Sequence, residues 1–558
     1  MEQLPDKHKA VSVINSKELL RVPAKDALAL ILDSPRPVTL VQSLAEEDLF
    51  WLVQGIGPED ALPILSLASN DQWQYLLDLE LWTKDRLEYD SVNRWLSLLL
   101  KADPERFMIW GLGEHIELLE LHLLEHVDVR IRQEDESPSD FEEGFFSPDG
   151  LFYVRIKNDK YEQTSREFLQ RLAHHDLDRF HQVLLELGGF VPAEVEENLY
   201  RLRNVRLAEK GFLPFEEAVG IYQHMQPETL LDRQSHLRKV VEEEPPDQPV
   251  PVSTSLLVPD QNAFHMCLQH INDVNALQRL QIEFAAMCNR IISADVLVVR
   301  DQEQLATVVR KACGYLSIGL DRMTGGDLQK AASLVRRVSL TDIFRVGYGA
   351  ALELRWDTEK WLKKSWFIKQ GFGLGFWGDA WEGILEGLLK KRPLFYAAYS
   401  EGEPYREFTT LEEIRHCQTV LHEIVAVDHF LSLVFSQSFP AHRLPAYQPV
   451  TYKNLVLTLW ARHHLGLPEG VTPLGDEEAK TFFLNLWETG PRPHRVSSQM
   501  KRAFMDWLQL RSGCGPNEIV RTVGRSLDHL FGELEQEYGS VDLKAFDPRY
   551  MKHLLVVP

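Results

Sequence analysis

Residues 44–79 read LAEEDLFWLVQGIGPEDALPILSLASNDQWQYLLDL. Ala45-Glu46-Glu47-Asp48 leads into LFWLVQ, Gly57-Pro58-Glu59-Asp60 into ALPIL, and Ser69-Asn70-Asp71-Gln72 into WQYLLDL. Further on, Asp103-Pro104-Glu105 leads into RFMIW. Each start sets a capping residue or an early proline before an apolar run, with acids in the first turn. Those acids complement the helix dipole, and the proline forfeits only an N–H that has no helical partner. Short helices of this kind cannot bury their apolar faces alone, so the pattern predicts a stacked superhelix over 41–126.

This stretch resembles the cytosolic N-terminal helical domain of the MgtE-type magnesium transporters over about residues 40–125. The likeness is one of rhythm, and the sequence shows neither a nucleotide-sensing pair of domains nor a membrane domain. It implies an α-superhelical fold and hints at divalent-cation sensing by surface carboxylates. The whole chain resembles a family of large bacterial proteins of unknown function, through segments such as RLAEKGFLPFEEAVGIYQHM at 206–225.

Beyond 126 the helical rhythm breaks. Residues 127–160 read as an acidic loop and a β-hairpin, with Ser147-Pro148-Asp149-Gly150 as its turn and Leu151–Ile156 as a strand. Helices resume over 161–241. EEEPPDQPVPVSTSLLVP at 242–259 is a Pro-rich linker and the expected main domain boundary. Phe264, Cys267, Ile271, Val274, Leu277, Leu280, Phe284, Cys288 and Ile291 recur every three or four residues, which predicts one long helix over 260–293. Helices extend to 435, one opened by Thr410-Leu411-Glu412-Glu413. A Pro-containing loop spans 436–449, and 450–558 is again helical. With residues 1–40 as an N-terminal extension, the expected fold is mainly α: a superhelical N-terminal half with a small hairpin insertion, then a Pro-rich linker and a second all-α domain.

Charge narrows the function. The 558 residues carry 83 acids against 60 Lys and Arg, a formal net charge of -23. Such a surface repels phosphate backbones, so nucleic acid is a poor partner. Five widely spaced cysteines and no CxxC pair exclude a disulfide framework and a zinc ribbon, and fit reduced, buried thiols in a cytoplasm. No signal peptide and no uninterrupted apolar run of membrane-spanning length is present.

Three places carry candidate chemistry. Gly373-Leu374-Gly375-Phe376-Trp377-Gly378 matches a dinucleotide fingerprint by letter, but the preceding residues read as helix where a strand is required. Around it, Trp356, Trp361, Trp366, Trp377 and Trp381 crowd together with Lys360, Lys363, Lys364 and Lys369. The 356–381 segment is either a groove for an anionic ligand or a strand of nucleic acid, or a core with lysine stems laid over it. Its candidate binding residues are Trp361, Lys363, Lys364, Trp366, Gly373, Gly375, Trp377, Gly378 and Trp381. Second, His122 and His126 stand one turn apart, as do Glu413 and His416, spacings that suit a divalent metal held between helices. Third, Ser498-Gln499-Met500-Lys501 fits S-x-x-K without its companion motifs. With no complete catalytic constellation, the sequence points to a non-enzymatic helical scaffold or regulator that binds another protein. A metal-dependent enzyme or sensor and an anion binder at 356–381 stay open as alternatives.

Overall fold

The computed structural model describes residues 16–113, 115–187, 191–232, 246, 249–259, 261–398, 402–435, 448–468, 470–490, 492–541, 547 and 550–557. The fold is mostly helical, with about 67% of residues in helices and a few small strand pairs. No helix among the described residues is long and apolar enough to cross a membrane.

Two of the start signals in the N-terminal stretch cap helices. Ser69 and Gln72 close a reciprocal capping box on helix Asn70–Glu80, and Asp103 Oδ1 accepts from Arg106 N at the start of helix Pro104–Gly113. Helix Ala24–Leu32 packs on Glu46–Ile56, which packs on Asn70–Glu80; Pro37–Gln42 packs on Leu62–Leu67, which packs on Tyr89–Ala102. Each helix meets the next but one, the arrangement of a stacked repeat. Trp73 and Trp95 are fully buried there, each worth about 2–3 kcal/mol of apolar transfer. Gln72 threads between layers, its amide donating to Val41 O and Leu44 O at 2.9 Å each. One start signal acts differently. Gly57, with φ of 101°, ends the Glu46–Ile56 helix, and the next helix begins only at Leu62.

The expected hairpin is a three-stranded antiparallel sheet. Phe152–Ile156 runs in the middle, flanked by Val127–Ile131 and Phe145–Phe146. The Ser147–Gly150 turn links its neighbouring strands, with φ of 78° at Gly150. Short strand pairs also join 82–83 to 86–87 and 395–396 to 405–406.

The chain divides into two compact units, one comprising 1–316 and 323–345, the other 317–322 and 346–558. The division therefore falls away from the Pro-rich stretch at 242–259. Within that stretch, 242–245 and 247–248 lie outside the described residues. Val252 and Ser253 are buried in the first unit, where the carboxylate of Asp48 holds them. The loop expected at 436–449 lies outside the described residues over 436–447. The single helix expected over 260–293 is two, Ala263–Leu268 and Val274–Asp295. Asp273 separates them by accepting from the N–H groups of Asn275 and Ala276, a cap that starts a new helix.

The first unit's core includes Phe107, Phe180, Phe264, Phe284, Tyr315 and Phe344; the second's includes Tyr348, Phe367, Trp377 and Trp460. Four of the five cysteines are buried and Cys514 is half-buried. Burial pushes the thiols of Cys267, Cys313 and Cys417 up to about 12.

Candidate functional site

The aromatic segment of the second unit faces inward. Trp377 is 2% exposed and Trp366 8%. Trp361 stacks on Phe367 with ring centroids 5.4 Å apart, and Phe367 meets Trp377 edge-on at 5.2 Å. Trp381 lies parallel to Tyr452 at 5.3 Å. Asp428, 4% exposed, organises the cluster: its carboxylate accepts from Trp366 N and Phe367 N at 3.0 Å each, and from Trp361 Nε1 at 3.2 Å. Lys363 and Lys364 are exposed, as are Gly373 and Gly375. The glycine run forms a 3-10 turn at Leu374–Trp377, and Gly378, with φ of 78°, opens helix Asp379–Leu389. A helical turn at Trp366–Lys369 precedes the run, where a dinucleotide site needs a strand. The structure thus brings the four tryptophans Trp361, Trp366, Trp377 and Trp381 into one packed cluster and leaves the lysines on the surface.

His122 and His126 do face each other, with ring centroids 5.0 Å apart. His122 is 4% exposed and neither ring nitrogen has a hydrogen-bond partner; Nε2 of His126 lacks one too. Burial, helped by the neighbouring His126, lowers the His122 pKa to about 3. The His126 ring lies against Tyr161, whose hydroxyl donates to Asp90 at 2.5 Å. Among the described residues no group of three or more His, Cys, Asp or Glu side chains is placed to hold a metal ion. Glu413 is engaged elsewhere. Arg406 donates to it at 2.6 Å and Thr409 N at 2.8 Å, while His416 is exposed. Burial works to raise the Glu413 pKa, but these donors outweigh it and hold it below the usual carboxylate range. In the S-x-x-K segment, Lys501 pairs with Glu535 at 3.0 Å and Ser498 Oγ lies 3.3 Å from Glu488.

An open concave surface of the first unit lies on helix Pro192–Glu209 and the turn after it. Polar clamps help to hold this helix. Arg206 donates to both carboxylate oxygens of Asp78 at 2.7 Å, Arg203 Nε donates to Asp78 O at 2.6 Å, and Glu196 accepts from Leu87 N at 2.8 Å. Leu207 alone in the helix is fully buried. Val205 stays 57% exposed and Leu202 42%.

The turn that follows is clamped to helix Val274–Asp295. Asn289 Nδ2 donates to Lys210 O at 2.8 Å. Gly211, with φ of 90°, lies so close that a Cβ there would meet Ala286 O at 2.3 Å. Only glycine fits that approach. Leu213 and Pro214 are thereby set opposite Val205 and Ala208, and together they line a groove of about 660 Å³. Glu194, Glu197 and Glu217 also line it, with Arg201 as the one charged group of opposite sign. Phe215, next to it, is 48% exposed. The arrangement offers apolar contact flanked by negative charge.

None of these groove residues stands out in the sequence as a site. The segment 206–225, which carries the likeness to a family of unknown function, supplies Ala208, Leu213, Pro214 and Glu217 to the groove.

Over residues 10–557 the chain matches the model of a family of unknown function, DUF6178. No curated protein matches the chain, and no solved structure matches it. With nearly its whole length covered by that one model, the chain belongs to the DUF6178 family of unknown function.

Proposed function

We propose that the chain is a cytoplasmic, non-enzymatic helical scaffold that binds another protein in the groove of helix Pro192–Glu209. The observation that carries this reading is the groove itself: an apolar floor at Val205, Ala208, Leu213 and Pro214 with three glutamates and a single arginine around it. Apolar side chains left outward on a helix that is fastened by ionic clamps fit a surface reserved for a partner. Charge selects the partner's chemistry. A basic amphipathic segment would satisfy the glutamates and cover the floor, as helix-in-groove recognition does. The likeness of residues 40–125 to the helical domain of MgtE-type transporters agrees with a stacked repeat whose purpose is to present surfaces.

Co-purification from the native cell tests the reading. Wild-type protein is expected to carry one stoichiometric partner, lost in Val205→Asp while helix content is unchanged. Retention of the same partner by Val205→Asp and by Glu197→Lys would overturn it.

A further inference from the structure

A second concavity lies in the first unit, built from five separate pieces of chain. Residues 19–24, helix Glu46–Ile56, residues 253–258, helix Ala263–Leu268 and the first turn of helix Gln302–Thr324 enclose about 370 Å³. That volume lies in the range of small-molecule sites. Polar and apolar groups share its lining, the apolar ones including Trp51, Leu256 and Val258. Its polar groups are Arg21, His265, Gln302 and the hydroxyls of Ser253 and Ser255.

The charge of this lining is the reverse of the chain's. In a protein with 83 acids against 60 Lys and Arg, no carboxylate among the described residues lines the cavity, and a guanidinium and an imidazole do. A guanidinium favours planar, charge-assisted recognition of a carboxylate. The apolar part of the lining favours a hydrocarbon body.

The wall at 253–258 is also fixed before any ligand arrives. Asp48, 0% exposed, accepts from Val252 N, Ser253 N and Ser253 Oγ, so the Ser253 hydroxyl is already committed. A preset wall lowers the ordering cost of binding.

We propose that this cavity binds a free amphipathic monocarboxylate, with Arg21 and His265 on the carboxylate and the hydrocarbon against Trp51, Leu256 and Val258. The site is separate from the groove of helix Pro192–Glu209, and its ligand is a small molecule where the groove takes a protein segment.

Calorimetric titration of the full chain with sodium octanoate, and with octylammonium chloride as its charge-reversed counterpart, tests this. Octanoate is expected to bind one site, and octylammonium to give no saturable heat. Arg21 is exposed, so Arg21→Gln leaves packing intact; it and His265→Gln are each expected to weaken octanoate about tenfold. Leu256→Trp, which fills the cavity, is expected to abolish binding. The proposal is overturned if octanoate gives no saturable binding, if octylammonium binds as well, or if octanoate binds Arg21→Gln and Leu256→Trp as it binds the wild type.

Discussion

Ser253 Oγ donates to Asp48 Oδ1 at 2.6 Å across 205 positions of chain. The same carboxylate accepts from Ser253 N at 2.8 Å and from Val252 N at 2.9 Å. One buried side chain in the first turn of helix Glu46–Ile56 therefore anchors the short helix Ser253–Leu256. Burial raises the Asp48 pKa, opposed by the donors from Ser253 and Val252. Asp48→Ala leaves those donors unpaired in the interior and is expected to destabilise the first unit by about 3 kcal/mol or more. Asp48→Asn, which keeps an acceptor, should lose less. Amide exchange at 252–253, compared in the two variants, is the readout.

The second unit uses the same device. Asp428 fastens the turn Trp366–Lys369 and the Trp361 indole from helix Leu411–Val434. Asp428→Ala should loosen the tryptophan cluster by about 2–4 kcal/mol. Emission from buried indoles should shift to the red; unchanged emission and unchanged stability would contradict the packing described.

Glu47 gives a pH dependence of known sign. Burial raises its pKa from 4.5 to about 7 against the pull of Lys210, and its Oε2 has no hydrogen-bond partner. The folded protein holds this proton more tightly than the unfolded chain. Stability from Glu47 is complete below pH about 4.5 and falls as pH rises through about 7. Glu47→Gln should raise Tm by about 2–4 °C at pH 8 and change it little at pH 5, measured by scanning calorimetry.

Glu533 has the opposite sign. Burial works to raise its pKa, but His553 and Lys453 outweigh it and bring it down to about 2. Lys453 Nζ donates to both Glu533 oxygens at 2.6 Å, and the His553 ring bridges Glu533 and the Tyr538 hydroxyl. The stabilisation is present above pH about 4.5 and is lost as pH falls toward 2. Glu533→Gln should lower Tm by about 2–4 °C at pH 7 and flatten the acid limb of the unfolding curve.

Features set by neighbours in sequence were legible: the Ser69–Gln72 capping box, the turn at Ser147–Gly150, and the cap at Thr410, which accepts from Glu413 N. The helix break at Asp273 was not, because the apolar period continues across it and only the cap shows the chain restarting. Asp48 reads locally as one of three first-turn acids. Its role depends on Val252 and Ser253, more than 200 residues away. The tryptophan density at 356–381 was visible, but its inward orientation depends on Asp428 and Tyr452. The groove is set by distant partners in the same way: Val205 stays outward while Arg206, next to it, reaches Asp78, 128 positions earlier.

The central claim is that the groove of helix Pro192–Glu209 holds a basic amphipathic segment of another protein. A photo-crosslinking residue placed at Val205 in the native cell reads the contact directly. The account predicts one cross-linked protein, joined through a segment carrying lysine or arginine beside apolar side chains, and loss of the adduct on Glu194→Lys with Glu217→Lys. Adducts scattered over many proteins, or one that survives that charge reversal, would contradict it.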